Sequence, residues 1–152
     1  MPTSGKTTVG KYLSKLLGKN FVDSDSLIEK EIKMPIKDYI IKFGEASFRK
    51  IEAEVIKEIS KKQNQVIATG GGCILNEANI YFLKQNSRIY FLNRSLDKLQ
   101  SLSDRPLSSS FEDLKKRYDE RMNLYLSYND KEINANMSIE EVANAIMEDF
   151  NG

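Results

Sequence analysis

Apolar residues recur along this chain in two alternating rhythms. From Lys6 to Leu17 the residues Val9, Leu13, Leu16 and Leu17 fall at helical spacing, and Gly18 stands where such a helix would end. Phe21-Val22-Asp23 reads as a short strand, with a turn-like Asp-Ser-Asp after it. Ser26 to Ile32 and Ile36 to Phe43 predict two short helices, broken at Met34-Pro35. Ile51, Val55 and Ile59 mark a longer amphipathic helix over Glu45 to Lys61. Gln65 to Thr69 is a buried strand running into Gly70-Gly71-Gly72. Beyond it the pattern predicts a helix over Glu77–Gln85, a strand over Arg88–Leu92 and a short helix over Leu96–Leu102. A serine-rich loop over Asp104–Ser110, a charged helix over Phe111–Tyr125 and a strand over Glu132–Asn136 follow. Ser138, with Glu141 three residues on, makes a capping box for a last helix.

Strands alternating with helices predict an α/β fold, a parallel sheet with helices on both faces. No internal repeat or linker divides the chain, so one domain over 1–152 is expected. In such folds ligands sit beyond the carboxyl ends of the strands. Asp23 and Asp25 follow the first of these strands, and Gly70, Gly71 and Gly72 follow the second.

Composition narrows the chemistry. Lys and Arg number 23 against 22 Asp and Glu, a formal net charge of +1, which points to neither nucleic acid nor a membrane surface. The apolar runs are far short of a spanning helix, and no charged-then-apolar leader opens the chain. Cys73, the single cysteine, can make no internal disulfide, so a reducing cytosol is expected. Histidine is absent, which removes imidazole acid–base chemistry and most zinc sites. Phosphoryl transfer, which works by positioning and electrostatics, needs none.

Thr3-Ser4-Gly5-Lys6-Thr7-Thr8 carries the closing Gly-Lys-Thr of the phosphate-binding pattern G-x-x-x-x-G-K-[ST]. Backbone N–H groups at a helix N-terminus would cradle phosphates, Lys6 would reach the outer phosphates and the Thr7 hydroxyl would face Mg²⁺. Taken alone, the tripeptide also suits a plain helix start capped by Ser4 or Thr3. In an extended Asp23-Ser24-Asp25 the two carboxylates would point to one side, one toward a metal and the other toward a substrate hydroxyl; a helix cap is the simpler alternative. Three successive glycines let backbone N–H groups approach a ligand, or merely form a tight turn. Arg49 and Glu52 share a helix face, so Glu52 could orient the Arg49 fork toward a carboxylate or phosphate; alone they read as a surface ion pair. Arg105 in Asp104-Arg105-Pro106-Leu107 sits in a loop that could close on a γ-phosphate, and Arg121 by itself reads as part of a solvated face.

Order and spacing together outweigh the separate alternatives. The chain resembles the shikimate kinase family through Ser4-Gly5-Lys6-Thr7-Thr8-Val9-Gly10, Phe21-Val22-Asp23-Ser24-Asp25 and Phe43-Gly44-Glu45-Ala46-Ser47-Phe48-Arg49 with Glu52. Thr69-Gly70-Gly71-Gly72, Asp104-Arg105-Pro106-Leu107 and Arg121-Met122-Asn123-Leu124-Tyr125 continue the match over nearly the whole chain. The resemblance implies ATP-dependent phosphorylation of the shikimate 3-hydroxyl. It implies ATP binding by Ser4, Gly5, Lys6, Thr7, Thr8 and Arg105, with Mg²⁺ at Thr7 and, through water, Asp23. Asp25 would take the hydroxyl proton, with Lys6 and Arg105 acting on the phosphates. Arg49 and Arg121 would grip the shikimate carboxylate, Glu52 orienting Arg49, and the N–H groups of Gly71 and Gly72 would meet the substrate. A monomer in the cytoplasm, with no nucleic-acid or membrane partner, is expected. The implied fold is a five-stranded parallel sheet in the order 2-3-1-4-5, with a substrate-binding region over about 26–60 and a lid over about 104–116.

Two departures accompany the resemblance. The family's first strand and the first glycine of the loop would precede Met1, so the strands flanking that position are expected roughly 10 Å apart with unpaired edges. A fragment or a start assigned too late is expected sooner than an enzyme lacking its central strand. Gln100 and Ser101 stand where many relatives carry an arginine against adenine. The alternatives are another small-metabolite kinase, such as a gluconate or nucleoside-monophosphate kinase, and an impaired or truncated homologue. Arg49, Glu52 and Arg121 suit a ring carboxylate better than a phosphate or a base.

Overall fold

The computed structural model describes residues 5–93 and 111–152. Helix α1 (Lys6–Leu17) starts at Gly5, whose φ of 83° is a left-handed conformation that favours glycine, and Gly18 closes it. The chain continues through β1 (Asn20–Asp23), α2 (Ser24–Ile32), α3 (Ile36–Phe43), α4 (Glu45–Ser60) and β2 (Gln65–Ala68). A short 3-10 turn (Cys73–Leu75) leads into α5 (Glu77–Asn86) and β3 (Tyr90–Asn93). Then come α6 (Phe111–Tyr128), β4 (Lys131–Asn134) and α7 (Ile139–Asn151). The expected α/β architecture is present, and most boundaries lie within two residues of the expected ones. Ser138 Oγ accepts from the Glu141 N–H, capping α7, and donates to the Glu141 carboxylate, so the two residues read from the sequence meet at the helix start. Ser4, Arg105, Gln100, Ser101, the helix expected over Leu96–Leu102 and the Asp104–Ser110 stretch of the expected lid lie outside the described residues.

One expectation is corrected. Helix α2 begins at Ser24, not Ser26, because the Asp23 side chain accepts the Ser26 N–H as its N-cap. Asp25 therefore sits in a helical first turn, and the pair does not share one side of an extended segment.

The strands pair in parallel as β1 with β2 and β3 with β4, in the registers Phe21–Val66 and Leu92–Ile133. They correspond to the strands numbered 2 with 3 and 4 with 5 in the implied order 2-3-1-4-5. Between β2 and β3 lies a cavity of about 400 Å³, lined by Val66 and Ala68 on one side, Tyr90 and Leu92 on the other, and Val9 and Leu13 of α1. Apolar faces pack on both flanks. Val9 and Leu13 of α1 meet Val142, Ala143 and Ile146 of α7 over Leu92 and Ile133. On the other flank Ile28, Phe48, Val55, Ile56, Ile59 and Leu83 join α2, α4 and α5. A third, small cluster sets Phe91 against Tyr118, Met122 and Tyr125 of α6. Among the described residues no helix is long and apolar enough to cross a membrane.

Ile56 is wholly buried at the centre of the second cluster. Ile56→Ala is expected to lower the unfolding free energy by about 2–5 kcal/mol, read as a lower urea midpoint at unchanged slope. A loss under about 1 kcal/mol would mean that α4 does not anchor the core.

Candidate active site

Four chain segments meet at the carboxyl ends of β1 and β2. The first is the start of α1. Gly5 turns the chain so that Lys6 and Thr7 open the helix. Thr7 Oγ1 donates to Asp23 Oδ2 at 2.9 Å, while the other carboxylate oxygen caps α2 at 3.2 Å from the Ser26 N–H. The helix cap that the sequence offered as the simpler alternative is present, and the same side chain also holds the Thr7 hydroxyl with its other oxygen. A hydroxyl beside a carboxylate is a hard-oxygen pair that fits Mg²⁺ shared with nucleotide phosphates. Among the described residues no group of three or more acidic or cysteine side chains gathers to cage a metal alone. Lys6 is half-buried, and desolvation lowers its pKa against the opposing pull of Asp25.

Asp25 faces inward from the first turn of α2. Burial raises its pKa, Lys6 pulls it back, and Asp23 pushes it further up. Its carboxylate lies against the glycine run: a Cβ on Gly70 would come within 2.4 Å of Asp25 Oδ1. Ser24, fully buried between the two aspartates, accepts the Gly70 N–H at 3.2 Å. The glycine loop is thereby tied to the start of α2 across 46 positions of sequence.

Arg49 reaches the same loop from α4. Its Nη1 donates to Glu52 Oε1 at 2.9 Å and its Nη2 to Glu45 Oε1 at 3.2 Å. Glu52 is buried to 1% exposure, Glu45 is 61% exposed, and Arg49 lies between them at 23%. Burial works against the Arg49 charge, but the two glutamates more than offset it and raise its pKa. Burial also raises the Glu52 pKa, with Arg49 opposing. Arg49 Nε and Glu52 Oε2 are buried without partners among the described residues. A Cβ on Gly72 would lie 2.3 Å from Arg49 Nη2, so a side chain there would push the guanidinium from its place between Glu45 and Glu52.

Helix α6 closes the fourth side. Arg121 is half-buried, and its charge is felt at Lys6, Glu52 and Tyr125. The solvated-face alternative for it is therefore set aside. Tyr125, one turn on, donates its hydroxyl to the Gly71 carbonyl and stacks on Phe91 with centroids 4.8 Å apart. Cys73 is buried next to the glycines, and burial pushes its thiol up to about 12, which leaves it inert at neutral pH.

Of the residues singled out by sequence, Lys6, Thr7, Asp23, Asp25, Arg49, Glu52, Gly71, Gly72 and Arg121 converge here. Gly5 and Thr8 belong to the same helix start, Thr8 being exposed. Sequence reasoning missed Ser24, Glu45 and the Tyr125 hydroxyl. Signals existed: Ser24 lies between the two aspartates, Glu45 precedes Arg49 by four residues, and Tyr125 follows Arg121 by four on one helix face.

The shikimate kinase family model matches residues 2–151. Shikimate kinase of Thermodesulfovibrio yellowstonii is 40% identical over 154 residues, 97% of this chain and 89% of that protein. That of Lactococcus lactis subsp. cremoris is 40% identical over 152 residues, 95% and 91% of the two chains. The solved structure of shikimate kinase from Acinetobacter baumannii in complex with shikimate superposes with a TM-score of 0.91 at 32% identity, over 97% of this chain and 87% of that one. The Aquifex aeolicus enzyme gives a TM-score of 0.87 at 33% identity, over 99% and 92%.

The Asp25 environment makes a pH prediction. A carboxyl whose folded pKa lies above its unfolded value of 3.8 binds its proton more tightly in the native state. Wild-type stability should therefore rise relative to Asp25→Asn as the pH falls from 7 toward 4. Melting temperatures across that range test it, and a gap that stays constant or moves the other way contradicts the buried assignment.

Proposed function

This chain belongs to the shikimate kinase family and phosphorylates shikimate with ATP; we propose that Lys6, Asp25, Arg49 and Arg121 carry that reaction here. The observation that carries the assignment is the Arg49 fork. Glu52 fixes its buried nitrogen, while its other nitrogen already holds a carboxylate, that of exposed Glu45. A substrate carboxylate can take the same kind of contact, with Arg121 supplying a second positive charge.

Transfer moves a phosphoryl group from ATP to the shikimate 3-hydroxyl. The hydroxyl oxygen forms a bond to the γ-phosphorus, the bond from that phosphorus to the β–γ bridging oxygen breaks, and ADP leaves. The hydroxyl proton goes to Asp25, whose raised pKa makes its carboxylate a better acceptor than an exposed aspartate. Lys6 and the N–H groups opening α1, from Gly5 to Thr8, hold the phosphates. Thr7, and Asp23 through water, would hold Mg²⁺, which neutralises phosphate charge when bound. Backbone N–H groups of Gly71 and Gly72 meet the substrate. Ser4 completes the phosphate loop and Arg105 closes on the γ-phosphate; both assignments rest on the motif alone.

We further propose a single domain whose substrate-binding region spans about 26–60 and whose lid spans about 104–116. It works as a monomer in the cytoplasm with small-molecule partners only. An impaired homologue and a gluconate-type kinase remain as outcomes of the test. ADP release with Mg²⁺-ATP is expected only when shikimate, and not gluconate, is added; release with gluconate, or none with shikimate, overturns the reading. Arg49→Ala should raise the KM for shikimate at least about tenfold, the scale of one charged hydrogen bond, and leave that for ATP nearly unchanged. An equal rise in both would mean that the carboxylate grip lies elsewhere.

A further inference from the structure

The peptide between Gly71 and Gly72 stands between two glycines, where either orientation costs little backbone energy. Something must select one. The Tyr125 hydroxyl donates to the Gly71 carbonyl and draws it toward α6. The described chain has no cis peptide bonds, so the Gly72 N–H points opposite to that carbonyl, away from Tyr125. Neither the Gly71 nor the Gly72 N–H has a partner among the described residues.

Tyr125 is itself held firmly. Its ring stacks on Phe91 at an interplanar angle of 12°, and Met122 and Tyr118 pack beside Phe91. Phe91 belongs to β3, paired to β4, so the hydroxyl is referenced to the sheet and not to the loop it orients. Burial raises the Tyr125 pKa, which keeps the hydroxyl a donor at neutral pH. Arg121 lies one turn earlier on α6. One helix thus presents a cation and, four residues on, the group that sets a backbone donor.

We propose that Tyr125 is a positioning residue, whose hydroxyl fixes the Gly71–Gly72 peptide so that the Gly72 N–H is offered to the substrate. This rests on the glycine-loop assignment made above. Tyr125→Phe keeps the stacked ring and removes the hydroxyl, with its contacts to both the Gly71 carbonyl and the Arg121 side chain, so the Gly72 amide is the readout that isolates the peptide. It should raise the KM for shikimate about threefold to tenfold, the scale of one neutral hydrogen bond. The KM for ATP should stay within about twofold. In ¹⁵N-labelled protein the Gly72 amide resonance should move on shikimate addition, and should need more shikimate to saturate in the variant. A purely structural role would instead lower the melting temperature and leave the two KM values in proportion; that result, or an unchanged shikimate KM, overturns the proposal. If wild-type protein releases no ADP with shikimate, the kinase reading fails instead. The Gly72 resonance still decides the loop: an orientation-insensitive shift in both proteins overturns the role of Tyr125 separately.

Discussion

Glu52 carries a carboxylate into the interior of the protein, and the ion pair with Arg49 is what makes that possible. An unpaired charge at 1% exposure would cost several kcal/mol, so Arg49 has to lie within hydrogen-bond distance, and it does at 2.9 Å. The guanidinium then fills the space beside the glycine loop, and a side chain on Gly72 would push it from that place. The pair sets the placement of α4 against the loop. With Asp25 it accounts for two of the three glycines by close approach instead of by a turn requirement. Gly70 and Gly72 are open to the close approach of Asp25 and Arg49, and Gly72 itself adopts an ordinary negative φ.

From that pair the charges run on in alternation. Arg49 faces Asp25, Asp25 faces Lys6, and Arg121 adds positive charge from α6. Lys6 and Asp25 are shifted first by desolvation and then pulled back by each other, whereas the glutamates beside Arg49 outweigh its burial. Lys6 and Asp25 are not optimal for stability, since they give up hydration that their partners only partly restore. Such an arrangement is expected where binding and proton transfer, not folding, set the residue choice. Proteins keep strained or poorly solvated groups at sites where those groups act, and the two hydrophobic clusters flanking the strands supply the stability to hold them.

The two aspartates after β1 show how environment separates identical side chains. Asp23 ends the strand, spends one oxygen on the helix cap and the other on Thr7. Asp25, a half-turn on, is turned toward the glycines and away from water, and its pKa rises. In the function proposed above, the first orients a hydroxyl and supports a metal, and the second takes a proton. Ser24 between them is not a spacer, because its hydroxyl fastens the loop opposite.

The primary structure by itself determined the elements and their ends. Helical spacing, the Ser138–Glu141 pair, Gly18 and Pro35 all act within a turn or two, so their signals are local and readable. It also determined that phosphate-loop, acidic and glycine motifs would gather at strand ends, since parallel strands put their carboxyl ends on one side. The start of α2 was misplaced by two residues because a cap and a turn share the same residue types. Only tertiary structure decided which charges pair, which aspartate is desolvated, and that Arg121 faces the site instead of solvent. It alone joined Tyr125 to Gly71 and Ser24 to Gly70, contacts spanning 54 and 46 positions. The reason is physical: desolvation and close packing depend on what the fold brings alongside a residue, and no periodicity along the chain encodes that.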